Sequence, residues 1–464
     1  MEKTGSSVPL CELFSSATID PFPMDPQPEL VQTSVSLAAY GRLLRSNRNL
    51  RRLWSAQIVS EIGDWFYSLA IYTLLLQLTG RASSVALALM LQVLPMTLMG
   101  PTAGVVNDRV SRKKVMITSD LVRMVIVFCM LFVRSRSMVW LVYPLLLLET
   151  VMVSFFEPAR NAVIPNITSR EEVVLANTLS STTWSMNLVL GAALGGVVAA
   201  LLGRDAVFVL NALSFAASAL LIRGMRFEEP HTDSAAPLRL RDLVDYSMMV
   251  EGVRYVREHR RLRATVFVKA GLFVIGPGWV LFTVMGQRYF PVTWHGIDAQ
   301  RGAMLGMSLL MGARGIGALL GPLLSAPWAG RHENRLRLAI FVGFIAEAIG
   351  YIGFGAAGTV WVACAWIILA HSGGSSVWVF STTLLQLNTE DRFRGRVFAA
   401  DNGLSMLTIG VGAWVAGVLV DLGSSPRTVA ASAGAAMLLP ALLWGLTIWS
   451  WKRAPESARA EAVD

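Results

Sequence analysis

Glu61 and Asp64 stand three residues apart in an otherwise apolar stretch, and with Gln57, Ser60 and Ser68 they recur at three- and four-residue spacing. On an α-helix that spacing draws a single polar stripe. Two carboxylates one turn apart and away from water cannot easily both be ionised, so such a pair tends to hold a proton that it could exchange. Asp64 lies about twelve residues into the stretch, roughly 18 Å along a helix. The alternative for Asp64 is a structural salt bridge to an arginine elsewhere.

Other ionisable groups sit inside apolar runs, where each costs about 2.5–3.5 kcal/mol at mid-membrane and so needs a partner, a wet cavity or a function. Glu149 and His371 fall near the middle of two such runs. Arg314 reads as the one deep cation, available either to neutralise Asp64, Glu61 or Glu149 or to receive an anionic substrate. His371 has two readings, a hydrogen bond within a helix bundle or a functional role. Asp120 and Arg123, three residues apart, read as a structural pair, and Glu347 has no evident partner. Trp65, Tyr67, Tyr72, Phe155, Trp279, Phe282 and Trp378 offer aromatic surface at similar depth. Cys11, Cys129 and Cys364 form neither a disulfide framework nor a metal-ligand spacing, and no cofactor is implied.

The elements that must carry these groups are legible in the composition. Hydrophobic residues make up 54% of the 464 and charged residues 15%, too few charges to cover a soluble domain of this length. Runs long enough to cross about 30 Å of hydrocarbon recur throughout. They fall near 52–78, 85–107, 115–133, 138–158, 176–202, 205–224, 263–289, 301–328, 336–357, 359–386, 395–421 and 427–451. The fold class expected is an all-α integral membrane protein of twelve transmembrane helices. A charged stretch, 225–262, divides it into six-helix bundles over 42–224 and 263–451. Residues 1–41, with Pro21, Pro23, Pro26 and Pro28, and residues 452–464 read as disordered tails without a signal peptide.

The net charge of +9 does not point to nucleic acid, because the basic residues gather in short loops between apolar runs. Of the 40 Lys and Arg, 29 lie in alternate loops on one side and in the flanks of the first and last runs. Arg81, Arg134, Arg136, Arg204, Arg288, Arg301 and Arg427 lie on the other. That bias predicts a cell-membrane protein with both termini cytoplasmic. The halves also echo one another: Gly100, Gly104 and Asp108 match Gly317, Gly321 and Ser325 at one constant offset. Duplication around a long central loop is a transporter architecture with its site between the halves.

The loop after the second run reads Gly104, then Asp108-Arg109, Ser111 and the basic cluster Arg112-Lys113-Lys114. It resembles the signature loop of the major facilitator superfamily, departing at Ser111, where the family usually has glycine. A carboxylate held by guanidinium groups at a helix end could lock or release the neighbouring cytoplasmic helix ends. Gly63-Asp64-Trp65, the stretch from Phe156 through Pro158 and Arg160 to Ala162, and Arg394-Gly395-Arg396 resemble the drug-antiporter and siderophore-exporter branch, which includes the enterobactin exporter and macrolide-efflux proteins. The antiporter signature in the fifth run is incomplete: Gly191, Gly195 and Gly196 are present and its proline is absent. Those small residues would still permit close packing, with the glycine-rich eighth run as the expected neighbour.

The resemblance implies a secondary active exporter of a small amphipathic compound, drug, macrolide or siderophore-like, driven by protons through alternating access. Its expected partners are that small molecule, protons and the lipid bilayer, with the monomer as the working unit. An importer of the same fold is the alternative, since topology does not set direction, and a lipid flippase is another. A membrane-embedded enzyme is disfavoured: no zinc spacing, phosphate-binding glycine loop or acyltransferase pattern occurs.

Overall fold

The computed structural model describes residues 37–232, 243, 246–293, 298–330 and 332–453. Most of both expected tails lies outside the described residues, though α1 (Leu37–Ser46) already begins within the stretch read as tail. The chain continues as α2 (Arg48–Thr79), α3 (Ala82–Arg109), α4 (Arg112–Met130), α5 (Val139–Ile167), α6 (Arg170–Leu202) and α7 (Arg204–Arg223). After the central segment come α8 (Ser247–Glu258), α9 (Arg260–Ala270), α10 (Ile275–Arg288), α11 (Ala299–Ala329) and α12 (Glu333–Ala356). The chain then runs through α13 (Val360–Leu387), α14 (Asp391–Asp421), α15 (Pro426–Ala436) and α16 (Leu438–Arg453). No strand occurs among the described residues.

Each apolar run of the sequence lies on one of these helices, with two of the runs broken. The run expected over 263–289 is interrupted between α9 and α10, where Leu272 leaves helical geometry four residues after Val268 and just ahead of Pro277. The last run breaks at Met437, shortly before Pro440. A proline offers no N–H to the carbonyl four residues earlier, which loosens the turn before it. Ser169 ties off the start of α6 with a reciprocal capping box to Glu172. Gly80 closes α2 in the left-handed region at φ +69, where a side chain would be strained.

Among the described residues, nine helices are long and apolar enough to cross a membrane. Helices α2 and α4, which carry internal charges, are not among them. Large apolar side chains, including Phe132, Trp140, Trp361, Leu324 and Leu422, lie exposed on the outside of the bundle. That outward apolar surface suits lipid and would be costly against water.

Helices α2 to α7 pack together, as do α9 to α16, and the two groups meet chiefly where α3 crosses α14 and α6 crosses α11. The central segment is not simply a loop. Helix α8 packs against α14, with Gly252 against the Arg396 backbone and Glu251 paired to Arg396 at 2.9 Å. Just ahead of it, Leu243 accepts a hydrogen bond from Thr102, and Tyr246 donates one to the Leu98 carbonyl.

Candidate functional site

The polar stripe of α2 is real, but its two carboxylates do not form a pair. They are divided between two guanidinium groups. Glu61 accepts from Arg160 at 2.9 Å, from Asn187 at 2.8 Å and from Gln57 at 2.8 Å. Gln57 in turn exchanges hydrogen bonds with Ser180 of α6. The sequence puts Arg160 in a loop; α5 instead continues through Pro158, burying Arg160 between Glu61 and Glu157.

Asp64 takes Arg123. One arm of that guanidinium donates to both Asp64 oxygens, at 2.7 and 2.9 Å. Its Nε donates to Glu149 at 3.1 Å, and Asp120 stands 3.8 Å away. Phe215 closes one face of the group with its ring centroid 4.0 Å off. Arg123 is therefore the centre of a buried cluster rather than half of a local pair with Asp120. The sequence offers one signal for this: Arg123 is a cation inside an apolar run. Helical spacing along α4 cannot show which carboxylates of α2 and α5 reach it.

Above this cluster lies a cavity of about 350 Å³ lined by Asp64, Glu61, Glu149, Arg123 and aromatic side chains. Asp64 keeps 34% of its side chain exposed there, whereas Arg123 keeps 3%. Of the aromatic residues singled out by sequence, Trp65, Tyr67, Tyr72 and Trp279 line this space. Trp65 and Trp279 stack across the two helix groups with centroids 5.8 Å apart, and Tyr72 meets Trp279 edge-on. Phe282 and Trp378 are elsewhere, the first against Tyr351 and His371, the second beneath Lys269.

Arg314 does not pair with Asp64, Glu61 or Glu149, all of which are held by other arginines. Its guanidinium lies over the Trp279 ring at 4.3 Å, and its Nη1 is buried without an acceptor. Nor is it the one deep cation, since Arg123, Arg160 and Lys269 are all buried. Lys269 of α9 pairs with Asp401 of α14, a contact with no signal in the sequence, where Asp401 is an isolated carboxylate. His371 is buried, shares a hydrogen bond with Tyr351 at 3.3 Å and packs by Gly317, away from the cavity. Glu347 is fully buried with neither oxygen bonded.

At one end of the bundle, Asp421 of α14 accepts from the Ala82 amide at 2.7 Å, from the Ser83 amide at 3.0 Å and from the Ser83 hydroxyl. A carboxylate there satisfies the free N–H groups at the start of α3 and complements its dipole. Gly417 against Ser83 and Gly196 against Ser308 close the same end. The glycine packing differs from expectation: Gly191 and Gly195 accommodate Trp65 and Phe66 of α2, and only Gly196 meets α11. Gly317 and Gly321 of α11 instead lie on the α13 backbone at Ile368 and Ser372.

At the opposite end, Gly100 and Gly104 face open space where a side chain would stand. Asp108 is 76% exposed and pairs with Arg112 at 3.5 Å. Arg112 also donates to the Asn107 and Ala162 carbonyls, Lys113 donates to the Met225 carbonyl, and the Ser111 hydroxyl to Glu229. Arg109 follows Asp108 at the last turn of α3. The motif thus binds the α3–α4 turn to the ends of α5 and α7, while α3 and α14 meet along their middle turns. Gly410 lies by Met90 and Leu94, and Gly403 by Thr97.

A cavity lined by the first helix group, walled by Trp279 of the second and bordered by buried ion pairs, is the arrangement of a carrier. Residues 44–461 match the sequence profile of the transmembrane secretion effector family. Macrolide efflux protein A of Streptococcus pyogenes is 25% identical over 80% of this chain and 88% of its own. The uncharacterized MFS-type transporter YfiS of Bacillus subtilis strain 168 is 32% identical, over 39% of this chain and 43% of its own. Among solved structures, the nucleoside transporter NupG superposes with a TM-score of 0.65 at 12% identity, covering 86% of this chain and 99% of that one, a likeness of fold. With nearly the whole helical body covered by that profile, the chain belongs to the transmembrane secretion effector family of major facilitator transporters and is a multi-pass membrane carrier, not an enzyme.

Proposed function

We propose that this protein exports a small amphipathic compound in exchange for protons, by alternating access between two six-helix halves of a twelve-span pseudo-repeat. The observation that carries the reading is the Arg123 cluster: one guanidinium serves Asp64, Glu149 and Asp120. Three ionised carboxylates around one cation would leave two uncompensated negative charges in a buried site, so the cluster carries protons. Asp64, exposed to the cavity, is the member placed to exchange one. Glu61, fixed by Arg160 and Gln57, keeps a negative field beside it, and Glu149 shares its cation. The efflux direction is supported by the streptococcal relative, a macrolide efflux protein.

The basic loops support a cytoplasmic position for the end with Asp108 and for both termini in a cell membrane. The conformation then has its outer end latched by Asp421, while at the cytoplasmic end α3 and α14 are joined through Leu243, Tyr246 and α8. Gly100, Gly104, Asp108, Arg109, Arg112 and Lys113 form the gate that closes when α3 and α14 approach, and the monomer is the working unit. His371 acts as a packing residue of the second half.

Two measurements test this. In everted membrane vesicles an imposed proton gradient should drive uptake of a macrolide or amphipathic dye, and a protonophore should abolish it. Uptake that ignores the gradient would remove proton coupling. For sidedness, a cysteine at Gly358 should label from outside intact cells and one at His332 should not; the reverse pattern inverts the gate assignment.

A further inference from the structure

We propose that Arg314 is an anion-recognition point for cargo, so that the transported compound carries a carboxylate or similar anionic group on an aromatic or apolar body. That the bound anion is cargo rests on the transport reading above; the binding itself does not depend on direction or coupling.

Among the described residues the other buried cations of the bundle have their carboxylates. Arg123 holds Asp64 and Glu149, Arg160 holds Glu61 and Glu157, and Lys269 holds Asp401. Arg314 has none among the described residues. Its guanidinium lies on the face of Trp279, and its Nη1 is buried with no acceptor. The titratable groups around it are Tyr72, Tyr351 and His371, none of which supplies a negative charge at neutral pH. A cation taken out of water without a counter-charge is costly, and a cation–π contact offsets only part of that cost. Its missing partner is one that comes and goes.

The position fits such a visitor. Trp279, on which Arg314 rests, is itself a wall of the cavity, stacked on Trp65 and met edge-on by Tyr72. Arg314 is part-buried rather than wholly enclosed. The carboxylates of α2 and α5 line the cavity, and the uncompensated guanidinium of α11 stands against its Trp279 wall. An apolar body would lie against the aromatic wall while its anionic group accepted two N–H bonds from the planar fork, for which arginine is better suited than lysine. Its distance from the carboxylates would also limit like-charge repulsion.

The test uses the purified full-length chain in lipid nanodiscs and equilibrium quenching of tryptophan fluorescence. The probes are matched pairs, naphthalene-, indole- and coumarin-acetic acids with their methyl esters. In the unmodified protein the acids should bind about tenfold or more tightly than their esters, as a charge-assisted bond requires. Arg314→Gln should erase that preference while leaving ester affinity within about twofold, and Arg314→Lys should keep part of it. Because no partner is stranded, Arg314→Gln should unfold at the same temperature as the parent or higher. Absence of acid preference in all pairs, its survival in Arg314→Gln, or loss of folded protein in that variant would each overturn the proposal. The assay applies no gradient, so an importer or uncoupled carrier with this site would pass and a proton-driven exporter without it would fail.

Discussion

Asp64→Asn is expected to insert and fold normally, to bind cargo, and to lose gradient-driven efflux to background. An amide can neither take up nor release a proton, so the cavity-facing member of the Arg123 cluster would drop out of the exchange. Abundance should hold because the cation is not left alone: Glu149 remains at 3.1 Å and Asp120 at 3.8 Å. If Asp64 were only a counter-charge to Arg123, the variant would keep gradient-driven efflux, because Glu149 and Asp120 would still hold the guanidinium. Its partner is Arg123 and not Arg314, so Asp64→Asn with Arg314→Gln is the matching control and should rescue nothing. Retained gradient-driven efflux in Asp64→Asn would sink the coupling role. Cargo binding is read separately, by equilibrium quenching, so that a lost site is not mistaken for lost coupling.

The opposite substitution should have the largest effect on stability. Arg123→Leu strands Asp64, Glu149 and Asp120 together in a site where Asp120 has no exposed surface at all. Removing one partner of a buried ion pair typically costs about 3–5 kcal/mol, a large fraction of what holds most folds together. Little folded Arg123→Leu should therefore appear in the membrane, by detergent size-exclusion profile and thermal unfolding. Arg123→Lys should be intermediate, since a point charge cannot serve two carboxylates through separate edges as the fork does. Neutralising Asp64 and Glu149 alongside Arg123→Leu should recover abundance without recovering coupling. A normal unfolding temperature for Arg123→Leu would show that the cluster is already neutral without its cation. The contrast with Arg314→Gln is internal to the protein: one arginine is held by three acids, the other by an aromatic face.

The sequence by itself determined that this is a helical membrane protein, because apolar runs and basic loops follow from the bilayer's dimensions and charge rule, independent of how helices pack. It also determined the motif around Asp108, a local pattern of a helix end and turn. The stripe through Gln57, Glu61 and Asp64 was legible for the same reason, since helical periodicity acts within one element. Only the tertiary structure decided what the stripe faces. Residues three apart on a helix point about 60° from one another, enough for Glu61 to meet Arg160 and Asn187 while Asp64 meets Arg123. Lys269 and Asp401 stand 132 residues apart, and the carboxylates offered to Arg314 by sequence are already held by other arginines. Which cation serves which anion depends on helix rotation and crossing, set by the fit of many small contacts such as Gly191 on Trp65 and Gly196 on Ser308, and no spacing along the chain encodes that fit.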